Sequence, residues 1–303
     1  MTKPDSGNSQ THGDIRPLVD ATDAERIRQI LTEHFVCHRR AKAIIEEVKF
    51  LMYKPVQTRA WGLVIEADPG QGKTLLAEAI HQRFPPREGS TSHAPTRPVV
   101  CISMTGAREA RTIHTRVLAE LGTNVSRYLT ISEREQLTLQ LLHELGVQLL
   151  ILDEAQDVLR TTRRQREAAL DAIKLMMNTL HIPILALGTQ TVAHAFREDP
   201  HLAARFRHHQ LPRWKADHEF AALLRGLQSC LPLREQYNLA RPALMRRIIE
   251  LTEGSTAQTV RLVTHAAVFA LLGGIERIGE AELERAATES PPAEVVEPSA
   301  RGA

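Results

Sequence analysis

Short apolar runs alternate with longer amphipathic stretches through the middle of the chain. Four runs, WGLVIEA, RPVVCISM, VQLLILDE and IPILALGT, are followed by a weaker fifth, HHQLPRW. Runs of strand length that alternate with segments of helical periodicity are typical of a parallel sheet covered by helices. The pattern predicts an α/β fold with a five-stranded parallel sheet flanked by helices.

Helical patterns lie on both sides of this alternation. One runs from Asp23 to Tyr53, and after Lys215 three segments follow with short breaks: DHEFAALLRGLQSCL, RPALMRRIIELTEG and TAQTVRLVTHAAVFALLGG. We predict an α/β domain over residues 21–215, which includes the N-terminal helices, and a C-terminal helical lid over residues 216–288. Residues 1–20 and 289–303 contain few bulky apolar side chains, which predicts disorder at both ends.

Composition narrows the class of protein. The 303 residues, 43% hydrophobic and 24% charged, suffice for one α/β domain and a smaller one. A net charge of +2 does not by itself indicate a nucleic-acid-binding protein, so local basic clusters must carry that argument. Three widely spaced cysteines suggest neither disulfides nor a zinc site, and no apolar run reaches the ~20 residues that span a bilayer. Together with the polar N-terminus, these features favour a cytoplasmic protein without membrane contact.

A phosphate-binding loop follows the first apolar run. Residues 67–74 read ADPGQGKT and the helical run LLAEAIHQRF comes next, so strand, loop and helix stand in the required order. Glycines let backbone N–H groups curl round a β-phosphate, the lysine neutralises β and γ oxygens, and the threonine hydroxyl binds Mg²⁺. ATP and Mg²⁺ are therefore the predicted cofactors, with nucleotide contacts from Pro69, Gly70, Gln71, Gly72, Lys73, Thr74 and Leu75.

Two carboxylates end the third apolar run. Asp153 and Glu154 close the run LLILDE. A parallel strand aims its last residues at the carboxyl edge of the sheet, where the phosphate loop also lies. We expect Asp153 to bind Mg²⁺ through water, together with Thr74, and Glu154 to orient and deprotonate the attacking water. Capping of the next helix by these carboxylates is the alternative interpretation.

Polar and basic groups accompany the last two runs. Thr189 and Gln190 follow IPILALG, and we expect Thr189 to sense the γ-phosphate or position water; a helix N-cap at Thr189 is a compatible interpretation. Arg205 stands just before the fifth run, where an arginine faces the nucleotide of an adjacent subunit and neutralises charge on the transferred phosphoryl group. Arg207 is the second candidate for that role, and an ordinary surface arginine is the alternative.

These motifs together resemble the AAA+ ATPases, and longer stretches resemble one family among them. The phosphate loop, the DE strand, the polar strand end and the Arg-Phe pair before the last strand match the class. The narrower resemblance is to the TniB family of transposition ATP-binding proteins, relatives of the TnsC regulators, and extends from about His38 to Leu283. It rests on LDEAQDVLRTTRRQREAALDAIKLMMNTLHIPILALGT, LAARFRHHQLPRW, the PLR of LPLREQYNLA, and EGSTAQTVRLVTHAAVFALLGGIERI.

The resemblance implies an ATP-hydrolysing regulator of DNA transposition. Such a protein forms a homo-oligomeric ring or filament on duplex target DNA, recruits a DDE transposase (TniA-like) and works with a target-selection protein (TniQ-like). Two positions depart from the pattern. Ala67 replaces the first phosphate-loop glycine, and no arginine directly follows Gly254, where many AAA+ proteins carry a second sensor. Arg261 is the substitute that the lid offers.

Two basic segments are candidates for contacts with duplex DNA. SMTGAREARTIHTR follows the second run, and residues 160–166, RTTRRQR, form the densest basic cluster of the chain. Phosphate contacts bind DNA without reading bases, and the scarcity of interleaved aromatic residues favours duplex over single-stranded DNA. A solvated helix face is the alternative. The predicted contacts are Arg108, Arg111, Arg163, Arg164 and Arg166, with Arg116, Thr105 and Thr112 as further donors.

Other functions fit parts of the pattern. An AAA+ helicase loader or replication initiator shares the ATP site and basic patches, although no separate helix-turn-helix domain of the initiator kind is evident. A scaffold that binds nucleotide without hydrolysing it is a further alternative, against which Glu154 and Arg205 argue. No carboxylate triad supports nuclease or recombinase chemistry, so strand transfer is expected from a partner.

Overall fold

The chain folds as two compact units. The computed structural model describes residues 18–55, 59–89, 94–123 and 128–292. One unit comprises residues 40–212, and the other combines residues 18–39 with residues 213–292. Both ends of the chain are predicted to be disordered. Most of their residues, 1–17 and 293–303, lie outside the described part of the chain. Among the described helices, none combines the length and apolar character that a membrane span requires.

A parallel five-stranded sheet forms the centre of the unit at residues 40–212. The order across the sheet is β2-β3-β4-β1-β5, and every neighbouring pair is parallel. The predicted α/β architecture is therefore confirmed. The strands are β1 (Gly62–Ala67), β2 (Val99–Ser103), β3 (Leu149–Asp153), β4 (Ile184–Gly188) and β5 (Phe206–Leu211).

Burial explains why four strand signals are strong and the fifth is weak. Every residue of β3 and β4 is buried, as expected for central strands with both faces covered. Strand β5 lies at the edge of the sheet and buries only its two end residues, so its middle tolerates the polar sequence RHHQ. Strand β5 begins at Phe206, two residues before the predicted run, where Phe206 pairs with Gly62 of β1. The Phe206 ring occupies the space that a side chain at position 62 would fill, since a Cβ there would lie 2.2 Å from the ring.

Helices alternate with these strands along the chain. Capping boxes mark two of their starts, at Thr22 with Glu25 and at Thr130 with Glu133. The helices up to β5 are α1 (Asp23–Leu31), α2 (Arg39–Tyr53), α3 (Lys73–Arg83), α4 (Arg111–Glu120), α5 (Ile131–Glu144), α6 (Gln156–Leu159), α7 (Arg163–Leu180), α8 (Gln190–Glu198) and α9 (Pro200–Ala203).

The second unit is helical. It contains α1 and the C-terminal helices α10 (His218–Ser229), α11 (Pro242–Thr252), α12 (Thr256–Leu272) and α13 (Glu280–Thr288). From the sequence we assign α1 to the α/β domain, whereas in the structure α1 packs against α12. The buried Arg26 explains this grouping, because its guanidinium donates to the Pro232 carbonyl at 2.6 Å and to the Glu276 carboxylate at 2.9 Å.

Candidate functional site

The phosphate loop lies between the carboxyl end of β1 and the start of α3. Gly70 and Gly72 have φ of +77° and +83°, a region that is open to glycine and costly for other residues. Gly72 is also the N-cap of α3, so the loop leads directly to the positive end of the helix dipole. Ala67 closes β1 as a regular strand residue opposite Leu211, which explains why a side chain is tolerated at the first glycine position of the motif.

Lys73 is the buried cation of this loop. The residue is only 5% exposed, and its Nζ donates to the carbonyls of Ala67 at 3.0 Å and Asp68 at 3.1 Å. Burial lowers the pKa of Lys73, while the nearby carboxylates of Glu154, Asp153 and Asp68 oppose that shift. The hydrogen-bond acceptors of Lys73 are neutral carbonyls, so a phosphate anion fits this position as a charged partner.

Thr74 and Asp153 meet where the phosphate loop approaches β3. The Thr74 hydroxyl donates to Asp153 Oδ2 at 2.8 Å. Burial raises the pKa of Asp153, and hydrogen bonds from Thr74 and from the Glu154 N–H act in the opposite direction. In the part of the chain that the structure describes, no group of three or more His, Cys, Asp or Glu side chains is arranged for a metal ion. The hydroxyl of Thr74 and the carboxylate of Asp153 are oxygen ligands of the kind that Mg²⁺ prefers, so the pair fits this ion if phosphate oxygens and water supply its other ligands.

Glu154 stands one residue beyond β3 in an unusual backbone conformation. Its φ is +53°, which is uncommon for a residue other than glycine. Its backbone N–H donates to Asp153 Oδ1 at 2.9 Å, so the two carboxylates that follow one another in sequence are fixed by one turn. Conformations of this kind persist where surrounding structure over-determines them, and they cluster at functional sites.

Gln156, which is not among the candidate residues predicted from the motifs, joins Glu154 to the end of β4. Gln156 is 4% exposed; its Nε2 donates to Glu154 Oε2, and its Oε1 accepts from the Thr189 N–H at 3.2 Å. Thr189 is the N-cap residue of α8 by position, but its side chain makes no capping hydrogen bond and accepts from Arg160 at 3.4 Å. A glutamine two residues after Glu154 was the available signal in the sequence, and only its contacts distinguish it from other polar residues.

Gly188→Ala should destabilise this corner of the fold. A Cβ at Gly188 would lie 2.4 Å from Val192 Cγ2 and 2.6 Å from Gln156 Oε1. Both neighbours are buried, so we expect a loss of about 1–3 kcal/mol in the free energy of unfolding, measured by urea denaturation. Gly279→Ala is the control, because its new Cβ would meet only the flexible Glu282 carboxylate at 3.1 Å. Equal unfolding midpoints for the two variants would contradict this account.

Arg205 lies at the edge of the sheet opposite the phosphate loop of its own chain. Its carbonyl accepts from the N–H of Gly62 at 3.1 Å, at the start of β1, and its guanidinium donates to Asn178 Oδ1 at 2.5 Å. The length of β1, roughly 17–20 Å, separates this edge from the loop. A role for Arg205 in hydrolysis therefore requires an adjacent subunit. Arg207, the second candidate, is 3.0 Å from the Glu47 carboxylate.

One arginine of the first basic segment is hydrogen-bonded to the backbone of its own chain. Arg116 donates to the backbone carbonyls of Ser103, the last residue of β2, and of Thr105 in the loop that follows, so its guanidinium is engaged within the chain. Arg111 pairs with Glu109 at the start of α4. Arg108 is exposed in the loop that precedes them. Of the predicted DNA contacts here, Arg108 and Arg111 are therefore the accessible pair.

The second basic segment surrounds the start of α7. The Arg163 side chain is 85% exposed and lies 2.8 Å from Glu167, and Arg166 lies 3.8 Å from Glu198. Arg164 is also exposed. Exposed ion pairs of this kind contribute little to stability, so exchanging a carboxylate for a phosphate should cost little.

One groove connects the two basic segments. A cavity of about 800 Å³ lies among the starts of α4, α5 and α7, and both Arg111 and Arg164 line it. Each of these arginines is in the first turn of its helix, where backbone N–H groups also favour anions. Acidic side chains line the groove as well: Glu109, Glu135 and Asp171. The fold thus brings together arginines that are far apart in sequence.

A family comparison agrees with this architecture. Residues 26–216 match the family described as Bacterial TniB protein, which is more than half of the chain. The chain belongs to the TniB family. No curated protein matches this TniB family member. The resemblance of its longer sequence stretches to TniB proteins is thereby confirmed.

Solved structures share the fold of this TniB family member at low identity. ORC2 of Aeropyrum pernix, in ADPNP and ADP complexes, is 19% identical with a TM-score of 0.61, over 88% of this chain and 72% of that chain. A. pernix ORC1 in complex with DNA is 12% identical, also at 0.61, over 86% and 68%. Cdc6p of Pyrobaculum aerophilum is 13% identical at 0.58, over 86% and 69%. These comparisons confirm the AAA+ fold.

Proposed function

We propose that this TniB family member is an ATP-hydrolysing regulator of transposition that assembles on duplex DNA. The observation that carries the proposal is the meeting of the phosphate loop, the hydrogen-bonded Thr74–Asp153 pair and Glu154 at one edge of the sheet, beside Thr189. These groups come from three neighbouring strands of the sheet. Their chemistry is that required for phosphoryl transfer to water.

Each residue of the site has a separate task in this reaction. The backbone of residues 69–75 surrounds the phosphates, and Lys73 neutralises the β and γ oxygens. Mg²⁺, when bound with ATP, supplies charge stabilisation to these oxygens. Thr74 and Asp153 are the residues that would hold the ion. Glu154 orients the attacking water and takes its proton, and Thr189 senses the γ-phosphate.

Hydrolysis on this proposal needs a second subunit. Arg205 is too far along β1 from its own phosphate loop to reach a nucleotide there. In a homo-oligomeric ring or filament, the same arginine would neutralise charge on the phosphoryl group bound by a neighbour. Release of its hydrogen bond to Asn178 is the local cost of that contact. Assembly and hydrolysis are therefore coupled through Arg205.

Duplex DNA is the proposed template for this assembly. The proposed phosphate contacts are Arg108, Arg111, Arg163, Arg164 and Arg166, and they are supported by the groove that Arg111 and Arg164 both line. Arg160 begins the second segment and contacts the hydroxyl of Thr189 at the end of β4. The basic cluster thus lies beside the strand that is proposed to sense ATP. DNA binding that depends on nucleotide is expected from this proximity.

Family membership favours transposition over replication as the process served. The proposed partners are a TniA-like DDE transposase, which the assembled protein recruits or activates, and a TniQ-like target-selection protein. The likeness to ORC and Cdc6 structures is at most 19% in identity among those compared and concerns the fold alone. A helicase loader or initiator function is therefore an outcome of the tests and not the favoured function.

The proposal is tested by titrating a labelled, random-sequence DNA duplex with the protein and following fluorescence anisotropy. Parallel titrations contain ATP, a slowly hydrolysed analogue, ADP or no nucleotide. Cooperative binding that requires ATP or the analogue and is lost with ADP supports a nucleotide-gated assembly. Nucleotide-independent binding, or none, would favour the loader or scaffold function. Pull-down of a TniA-like transposase by the DNA-bound protein tests the partner separately.

Replacing Arg163, Arg164 and Arg166 together with alanine should weaken duplex binding about equally across DNA sequences. The three side chains are proposed to contact phosphates, which carry no sequence information. The plot of the logarithm of the binding constant against the logarithm of salt concentration has a negative slope. If all three contacts are lost from each subunit, the magnitude of this slope should decrease by about 3 per subunit. Anisotropy titrations at several salt concentrations measure both effects.

A matched variant separates these contacts from a general loss of charge. Arg225, Arg241 and Arg246 are exposed in the other unit, so replacing them with alanine removes the same charge. We expect that variant to retain most of the affinity and nearly all of the salt dependence. Equal behaviour of the two triple variants would remove α7 from the DNA-binding surface.

A further inference from the structure

Gln156 makes hydrogen bonds at both ends of its side-chain amide. The NH₂ group donates to the Glu154 carboxylate, and the carbonyl oxygen accepts from the Thr189 N–H at 3.2 Å. Glu154 follows β3, whereas Thr189 follows β4 and begins the cap of α8. A single glutamine therefore connects the group proposed to activate water with the strand end proposed to sense the γ-phosphate.

The surroundings leave Gln156 little freedom. The residue is 4% exposed, and its Oε1 would be 2.6 Å from a Cβ at position 188, so the absence of a side chain at Gly188 makes room for it. Val192 closes the same corner from the first turns of α8. A side chain with both ends bonded and its stem buried is pre-organised, which is the property that a residue supporting a catalytic group needs.

We propose that Gln156 is the positioning residue that holds the Glu154 carboxylate for water activation and ties its position to the end of β4. The inference rests on the proposed ATPase function and deepens it. Gln156 fixes one carboxylate oxygen, Oε2, and leaves Oε1 to accept the proton of the attacking water. Since the Thr189 N–H fixes the other end of the amide, a displacement at the end of β4 moves Glu154 as well.

Two substitutions separate the two ends of the amide. Gln156→Met fills a similar volume and removes both hydrogen bonds. Gln156→Glu keeps an acceptor for the Thr189 N–H but places a carboxylate where Glu154 needs a donor. A positioning role predicts that both variants lower kcat for ATP hydrolysis about 10- to 100-fold, with KM for ATP changed by less than about threefold. A role confined to supporting the Thr189 backbone predicts that Gln156→Glu retains the wild-type kcat.

A second comparison tests whether Gln156 acts through Glu154. Gln156→Met is combined with Glu154→Gln, and the chemical step is measured in single-turnover reactions. If Gln156 serves only to place the Glu154 carboxylate, the double variant should be no slower than Glu154→Gln alone. Multiplied losses would show that the two residues act independently and would overturn the inference.

The controls use a glutamine with the same bond on the protein surface. Gln140 donates to Glu144 at 2.8 Å on the exposed face of α5, so Gln140→Met and Gln140→Glu should leave kcat unchanged. Thermal unfolding and ATP affinity of each variant show that the fold and the phosphate loop are intact. Wild-type kcat in Gln156→Glu or Gln156→Met, in a wild-type protein that hydrolyses ATP, would overturn the inference alone. Absence of hydrolysis in the wild-type protein would overturn the proposed function and, with it, this inference.

Discussion

Lys73→Ala should lower the affinity for ATP about 100-fold and abolish nucleotide-dependent DNA binding. The ammonium group is buried and its hydrogen bonds go to two neutral carbonyls, so we expect bound phosphates to be its direct charged partners. Hydrogen bonds to charged groups contribute about 1.5–3 kcal/mol each, and about 2.7 kcal/mol corresponds to the expected loss of affinity. Calorimetric titration with an ATP analogue and Mg²⁺ measures it.

The variant should remain folded without nucleotide. Burial lowers the pKa of Lys73, and the substitution removes this buried charge together with its hydrogen bonds to two loop carbonyls, so the free protein should keep its fold. Lys42→Ala, on the exposed surface of α2, is the control and should bind nucleotide normally. If Lys73→Ala keeps the wild-type affinity, the loop does not bind phosphates in the proposed manner.

Glu154→Gln should reduce kcat by about 10²–10⁴ and leave ATP binding nearly unchanged. The amide has the shape of the carboxylate but cannot accept the proton of the attacking water. Thr74, Asp153 and Lys73 are untouched, so the nucleotide and Mg²⁺ should still be held. The protein should therefore accumulate in its ATP-bound, DNA-assembled state. Phosphate release under saturating ATP, together with anisotropy of labelled duplex, measures both consequences.

The comparison variant for this prediction is Glu144→Gln, an exposed glutamate on α5. It changes the same functional group outside the site and should keep the wild-type rate. Normal turnover in Glu154→Gln would remove Glu154 from water activation. Loss of ATP binding in that variant would instead indicate that the carboxylate supports the phosphate loop and not the chemical step.

The local motifs could be placed from sequence because the chain carries them in short segments. Gly70 to Thr74 span one loop and the start of α3, and the two glycines permit the backbone that the loop has, with φ near +80° at both positions. The buried runs of β1, β3 and β4 bring three strand ends to one edge of the sheet, since parallel strands share their polarity. The weaker edge strand β5 was predicted too late in the chain, because its exposed middle is polar and its start depends on packing between Phe206 and Gly62.

The contacts of individual side chains could not be predicted from the sequence in this way. Gln156 and Thr189 are distant in sequence and are joined by one hydrogen bond across the ends of β3 and β4. The groove that brings Arg111 beside Arg164 depends on how α4 and α7 pack, and the engagement of Arg116 by its own loop depends on the path of that loop. Such contacts have no period and no fixed spacing.

The sequence alone therefore determined the α/β class, the order of strand, loop and helix around Lys73, and the carboxylate pair at residues 153–154, because hydrophobic periodicity and backbone-restricted residues act locally. Tertiary structure decided the order of the strands, the association of α1 with the C-terminal helices, the link from Glu154 through Gln156 to Thr189, and the distance of Arg205 from its own phosphate loop. Each of these depends on which distant segments pack together, and packing is a property of the whole chain.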